Sequence, residues 1–485
     1  MCALLSAKWL NGGPAPAALT ASGLAMKGPV QSAAPARPGT PVRPPVPMRN
    51  LNWLLLFSMC LVEGMDMNIL PSAFRAMESE LGFSPVILAG FQTIQGVAQA
   101  LSGIVWANLI DGGLSCKKVV CAGVLGWAAA NSLLAYVESA ALMCLFRASN
   151  GLCLGMVLPV VQSLIAKHVK PEVAGSFFGL QSAFLQLGRI IGILAMASVS
   201  EKVIYGVPGW RVGLAATAVL SYGIVLAFLV FFEDPPSKGA PSVDLQKELR
   251  KFSSYLRKPA FCVILCQGMV GTIPNAAMSF QLMFMQYCGL SNADAAIAAS
   301  MVVVGIALGA PLGGYIGDAM ERWSEQHGRP LTGQISVIMG IPLMYYMFMV
   351  APHTSNMFWH FASASFLLGL LAHWCAPGCN MPLLARLVPA DSKASVMAWE
   401  YSFESMSGQT LGPMIVSVVA TQMLHFRVQE APLAEMPDAQ RLLNAEALGQ
   451  GLLLSTMLPW FICATMFTLL HFCDLPGPEG EALVK

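Results

Sequence analysis

From Asn50 onward, apolar stretches of about twenty residues follow one another with short polar breaks between them. A helix rises 1.5 Å per residue, so each stretch suits one crossing of a hydrocarbon core about 30 Å thick. The pattern predicts spans over 51–73, 84–110, 118–137, 140–163, 173–198 and 212–232, then a polar interval, then 259–283, 293–317, 331–350, 356–385, 393–424 and 449–472. The predicted fold is therefore all-α and membrane-integral, with twelve transmembrane helices. Several segments exceed one perpendicular crossing, which implies tilt or extension beyond the bilayer.

The twelve spans divide in two. Leu164-Ile-Ala-Lys-His-Val169, followed by Pro171, resembles Leu383-Leu-Ala-Arg-Leu-Val388, followed by Pro389. Asp111 after span 2 is echoed by Asp318 after span 8, and Gly188 and Gly192 of span 5 by Gly408 and Gly412 of span 11. Echoes at a nearly constant offset imply two six-helix halves in parallel orientation. The predicted organisation is a basic tail over 1–49, a first half over 50–232, a linker over 233–258, a second half over 259–473 and a short tail over 474–485.

Charge adds orientation. With the N-terminus placed in the cytoplasm, the inside segments hold 20 of the 27 Lys and Arg, and the outside loops hold only Arg75, Lys202, Arg211, Arg427 and Arg441. The positive-inside rule then predicts that both termini are cytoplasmic. Residues 1–49 carry Lys8, Lys27, Arg37, Arg43 and Arg49 with no acid, which suits a disordered tail or an organelle transit peptide. In the linker, Leu245, Leu249, Phe252 and Leu256 share a helical face among Lys247, Arg250, Lys251, Arg257 and Lys258. That reads as a basic amphipathic helix on the membrane surface, or as a solvated linker helix.

Composition excludes other classes. The chain is 56% apolar and 11% charged, against about a quarter charged in soluble domains. Its net charge of +1 gives no bulk attraction to nucleic acid. The 13 cysteines are scattered without zinc spacing, so no metal or cofactor is expected. No P-loop, nucleophile elbow or HExxH motif is present, so neither ATP drive nor an enzyme is indicated.

Ionisable groups inside a bilayer are costly and mark function or pairing. Apart from Lys118 at the first position of span 3, spans 3, 6, 9 and 12 carry no Asp, Glu, Lys or Arg, as expected of lipid-facing helices. Span 1 carries Glu63 and Asp66, span 4 Arg147, span 5 Arg189, and span 11 Glu400 and Glu404. Asp66 and Arg189 both lie about 21–22 Å above the cytoplasmic edge, and Arg147 about 9 Å below the outer one. A charged cluster at that depth is expected, with Asp66 pairing to Arg147 or Arg189. A carboxylate that exchanges its arginine for a proton can couple proton flow to solute movement. A fixed structural ion pair is the other reading. Glu400 and Glu404 stand at i,i+4, close enough to hold a proton or cation between them. Gln95 and Gln99 of span 2, Gln267 and Asn275 of span 7 and His373 of span 10 are further polar candidates for a cavity, or for ties between helices.

These residues together resemble the major facilitator superfamily across about 50–473. Asp111 with Lys117 and Lys118 looks like the family's loop motif after span 2, with Ala107 in place of its first glycine. Gly314, Gly317, Asp318 and Arg322 are a better second copy. Arg147-x-x-x-Gly151, Gly209-Trp210-Arg211 and Glu233-Asp234-Pro235-Pro236 are also similar. The resemblance implies a gating role for the two loop motifs on the cytoplasmic side. Met65-Asp66 is similar to the span 1 segment of Spinster-type and organic-anion or sugar-phosphate carriers, with Met67 where those have arginine. The implied function is a secondary active transporter working by alternating access without a cofactor, with protons as the coupling partner and a small organic solute as substrate. Facilitative uniport and a non-transporting solute sensor are the alternatives. Organic anions, lysolipids and sphingoid lipids, and amino acids all remain open as substrates. Nothing in the pattern requires a second copy, and the chain is read as a monomer.

Overall fold

The computed structural model describes residues 48–111, 113–234, 245–389, 393–430 and 433–475. The readings of residues 1–47, of the start of the linker and of the tail after 475 fall outside these residues. So does the side chain of Asp111.

Twelve helical spans follow in order. Spans 1 to 6 are Asn50–Leu81, Pro85–Asp111, Cys116–Leu134, Ala140–Ile165, Pro171–Val199 and Gly209–Phe231. Spans 7 to 10 are Pro259–Tyr287, Asn292–Trp323, Gly328–Val350 and Ser355–Leu387. Span 11 runs from Lys393 through Met423, and span 12 is Asp438–Leu470. Among the described residues, nine of these helices are long and apolar enough to cross a membrane by length and composition alone. The other three are spans 2, 3 and 11. They carry Gln92, Gln95 and Gln99, the Lys117-Lys118 pair, and Glu400 with Glu404.

Two boundaries differ from the hydropathy pattern. Span 1 continues past 73 to Leu81, so Arg75 is a buried helical residue and not a loop cation. Span 12 starts eleven residues before 449, at Asp438, which brings Arg441 and Asn444 into a helix. Both extensions lie at the end of the molecule opposite Met48, called here the far end. Their polar residues hide them from a hydropathy scan, although they pair internally.

The pairing of helices repeats. In the first half, span 1 packs on span 5, span 2 on span 4, and span 3 on span 6. In the second, span 7 packs on span 11, span 8 on span 10, and span 9 on span 12. The glycine echoes have one cause. A Cβ at Gly188 or Gly192 would strike the carbonyls of Leu61 and Met65 on span 1, and a Cβ at Gly408 or Gly412 would strike Thr272 and Ile273 on span 7. Backbones approach this closely only where no side chain intervenes.

Prolines break some spans at defined points. Span 4 is interrupted at Gly155 and Met156, just ahead of Pro159. Span 7 turns at Thr272, before Pro274, which has no N–H to donate to the carbonyl one turn back.

Spans 3, 6, 9 and 12 present apolar side chains outward, with Val219, Val230, Ile338 and Phe461 each more than half exposed. Span 3 is not merely a lipid-facing helix, however. Its opposite face buries Trp127 and Asn131 completely. The linker helix Leu245–Tyr255 departs from the membrane-surface reading in one respect. Phe252 is buried against Phe261, Trp399 and Phe403, so part of the apolar face docks on spans 7 and 11. Leu249 and Leu256 stay exposed.

The halves meet through spans 2 and 11 and through spans 5 and 8. One continuous apolar core joins the far end of the first half to the second half, and Phe74 packs on Phe280 across the boundary at 5.1 Å. A separate core, confined to the first half, fills its near end. The molecule is therefore sealed at the far end.

Candidate functional site

Asp66 lies in the middle of the first half and is completely buried. Its carboxylate accepts hydrogen bonds from Asn131 Nδ2 of span 3 and, at 3.3 Å, from Gln95 Nε2 of span 2. Gln95 Nε2 also donates to Asn150 Oδ1 at 2.9 Å, and Asn150 Nδ2 donates to Asn131 Oδ1 at 3.1 Å. Four helices thus converge on one carboxylate through neutral amides. Gly151 and Gly155 of span 4 make this possible, because Cβ atoms there would strike the Gln95 and Gln99 carbonyls. One turn below, Gln99 Nε2 donates to Glu63 Oε1 at 3.2 Å.

Arg147 is as buried as Asp66 and is its charged neighbour. Yet none of the three Arg147 guanidinium nitrogens has a hydrogen-bond partner. The expected direct ion pair is therefore not formed in this state, and amides occupy the carboxylate instead. A buried guanidinium without a partner is unfavourable unless something else meets it in another state.

Arg189 does not join this network. Its Nη1 donates to Gln186 Oε1 at 3.2 Å, and its Nε is unpaired. Its electrostatic neighbours are Tyr401 and His373, both in the second half. Tyr401 is enclosed by protein yet leaves 50% of its surface open, the mark of a side chain lining an internal cavity. Arg189 and Tyr401 thus face one interior space from opposite halves.

In the second half, Gln267 and Asn380 are joined by a 2.7 Å hydrogen bond between spans 7 and 10. Cys463 donates to the Gln267 carbonyl, and Thr272 Oγ1 donates to the Glu404 carbonyl at 2.8 Å. Glu404 lies directly on Gly268, where a side chain would displace it. Glu400 is 1% exposed. Asn275, just past the bend of span 7, is exposed. His373 leans on the Leu368 carbonyl.

At the near end, Asp318 pairs with Arg329 of span 9 at 2.6 Å, while Arg322 is exposed. Arg329 also reaches Glu321 at 2.7 Å, and Arg386 closes on the same Glu321. Spans 8, 9 and 10 are tied there as one block, and the sequence had indicated Asp318 without its true cation. In the first half, Lys117 Nζ donates to the Phe232 carbonyl at 2.9 Å and its backbone N–H to Asp234, whereas the Lys118 side chain is exposed. Gly314 has open space around it.

The far end holds a second buried polar cluster that sequence reasoning missed. Glu78 is fully buried and accepts from Tyr287 Oη at 2.7 and 2.9 Å and from the Gln429 N–H at 3.1 Å. Arg75 donates to the Gln429 carbonyl and lies 5.5 Å from the centre of the Tyr287 ring. Arg441 holds the Tyr287 carbonyl. Asn292 donates to Glu201 nearby. All these contacts except the last arginine's join one half to the other. The signal was available in part, since Glu78 and Tyr287 flank predicted span ends. Their partnership across 209 residues was not.

The profile of the Major Facilitator Superfamily matches residues 56–413. The chain belongs to the major facilitator superfamily. No curated protein matches it. Among solved structures, it is similar to a bacterial homologue of the human lysosomal transporter Spinster, in an inward-facing, unoccupied conformation. That match has a TM-score of 0.73 and 17% identity, over 88% of this chain and 98% of that one. It is also similar to the nucleoside transporter NupG, with a TM-score of 0.64 and 14% identity over 87% and 98% of the two chains. A sulfate-bound peptide transporter matches at 0.63 and 14%, over 87% and 97%. The chain is thus a multi-pass membrane protein with the transporter fold of that superfamily. Its family is one of transporters, not of enzymes.

Proposed function

We propose that this facilitator moves a small organic solute by alternating access and couples that movement to protons through Asp66. The observation that carries the proposal is the mismatch around this residue. A buried carboxylate is held by amides, beside an equally buried arginine that has no hydrogen-bond partner. Protonating Asp66 would remove the carboxylate charge that opposes Arg147. Deprotonating it would draw the two together, and the helices that bear them would have to shift. With both termini in the cytoplasm, a molecule sealed at the far end is inward-facing. In this reading Asp318, Arg329, Glu321 and Arg386 hold spans 8 to 10 as one rigid block at the cytoplasmic gate.

The test is flux into proteoliposomes holding the purified protein, with and without an inward proton gradient. The proposal predicts gradient-driven uptake that Asp66→Asn abolishes. Uptake indifferent to the gradient and to Asp66 would instead make the protein a facilitative uniporter. Binding without uptake would make it a sensor.

A further inference from the structure

Two groups of opposite charge lie near Tyr401, the half-exposed side chain that lines the interior between the halves. On span 11, Glu400 and Glu404 stand one turn apart within hydrogen-bonding reach of each other. Glu400 is 1% exposed with Oε2 unpartnered, and Oε1 of Glu404 is unpartnered too. Two carboxyl groups in reach of each other share one proton, which leaves the pair a single negative charge and leaves its two unpartnered oxygens for a donor beside them. Among the described residues, no Lys or Arg ion-pairs with either. Gly268 leaves span 7 without a side chain where Glu404 sits, so the backbone is shaped to hold the carboxylate there. Opposite, Arg189 presents an unpaired Nε, and Tyr401 stands between, within electrostatic reach of Arg189 and Glu404 alike.

We infer that the cavity takes a zwitterionic solute, with its ammonium group on the Glu400–Glu404 pair and its anionic group on Arg189. The inference rests on the transport reading above and adds the substrate's charge pattern to it. A simple anion would meet Arg189 but be repelled by the carboxylates. A neutral solute would leave both subsites buried and unpaired, which selects strongly against it. An ammonium group supplies up to three N–H donors, enough to serve both free carboxylate oxygens at once.

The experiment measures the melting temperature of the purified full-length protein with matched probes: 5-aminovalerate, pentylammonium and valerate, together with the common amino acids. A ligand that binds only the folded state raises that temperature. Zwitterions should stabilise the protein and valerate should not. Glu404→Gln and Glu400→Gln should weaken zwitterion binding about tenfold or more, as expected for a lost charge-assisted contact. Glu404→Asp, which keeps the charge, should retain it and so separates charge from folding. Arg189→Gln should shift preference toward pentylammonium. Stabilisation by valerate or neutral sugars alone, zwitterion affinity unchanged in Glu404→Gln, or no binding by any zwitterion would overturn the inference. Flux of an anion in vesicles would sink it while leaving the transport reading intact. Zwitterion binding with no flux of any solute would do the reverse.

Discussion

Asp66 shows how a single residue's role depends on neighbours that sequence patterns rank low. Its depth in span 1 was readable from a count of residues, and so was that of Arg147. Asn131 and Asn150 were not singled out, because a lone asparagine in an apolar helix carries no spacing signal. Asn131 sits in a helix whose only charges, Lys117 and Lys118, lie at its near end, and it is fully buried on the carboxylate. Replacing it with Ala leaves a buried carboxylate short of a donor, which costs about 1–3 kcal/mol. The expected result is a lower melting temperature for Asn131→Ala, with part of the loss recovered when Asp66→Asn removes the charge. A melting temperature unchanged by Asn131→Ala would show that the amide does not support the carboxylate.

Between elements, the glycine echoes translate directly into packing. The repeat of Gly188 and Gly192 in Gly408 and Gly412 was legible because both pairs answer one need, a backbone contact with span 1 or span 7. Overpacking at such a contact costs about 1–3 kcal/mol. Gly188→Val should therefore lower the melting temperature clearly. Gly314→Ala, which meets open space, should leave it unchanged. The loop motif was less legible. The motif resemblance named Asp318 and Arg322 but no partner for Asp318, which the fold supplies as Arg329 from the next span, while Arg386 from the one after joins through Glu321. Long-range partners of this kind leave no local spacing. For the same reason the helical extensions carrying Glu78 and Asn444 read as loops: their polar groups are satisfied across the molecule.

For the molecule as a whole, the number of spans, the two halves and the superfamily were legible from hydropathy and repeats. Which end was closed was not, since that depends on contacts between halves. The far-end cluster around Glu78 ties the two halves together at the closed end. Tyr287→Phe removes the one O–H donor shared by both oxygens of a buried carboxylate, and a bond to a charged group contributes about 1.5–3 kcal/mol. It should shift the population toward a far-end-open form by tenfold or more. The measurement that tests alternating access most directly is a pair of distances between the halves, read from spin labels introduced as non-natural residues. One pair, at Tyr205 and Trp359, spans the far end. The other, at Leu114 and Trp323, spans the near end. All four positions are exposed. The account predicts a second population in which the far-end distance lengthens as the near-end distance shortens. That population should grow in Tyr287→Phe and change with pH. Two single, unchanging distances in both proteins at every pH would contradict it.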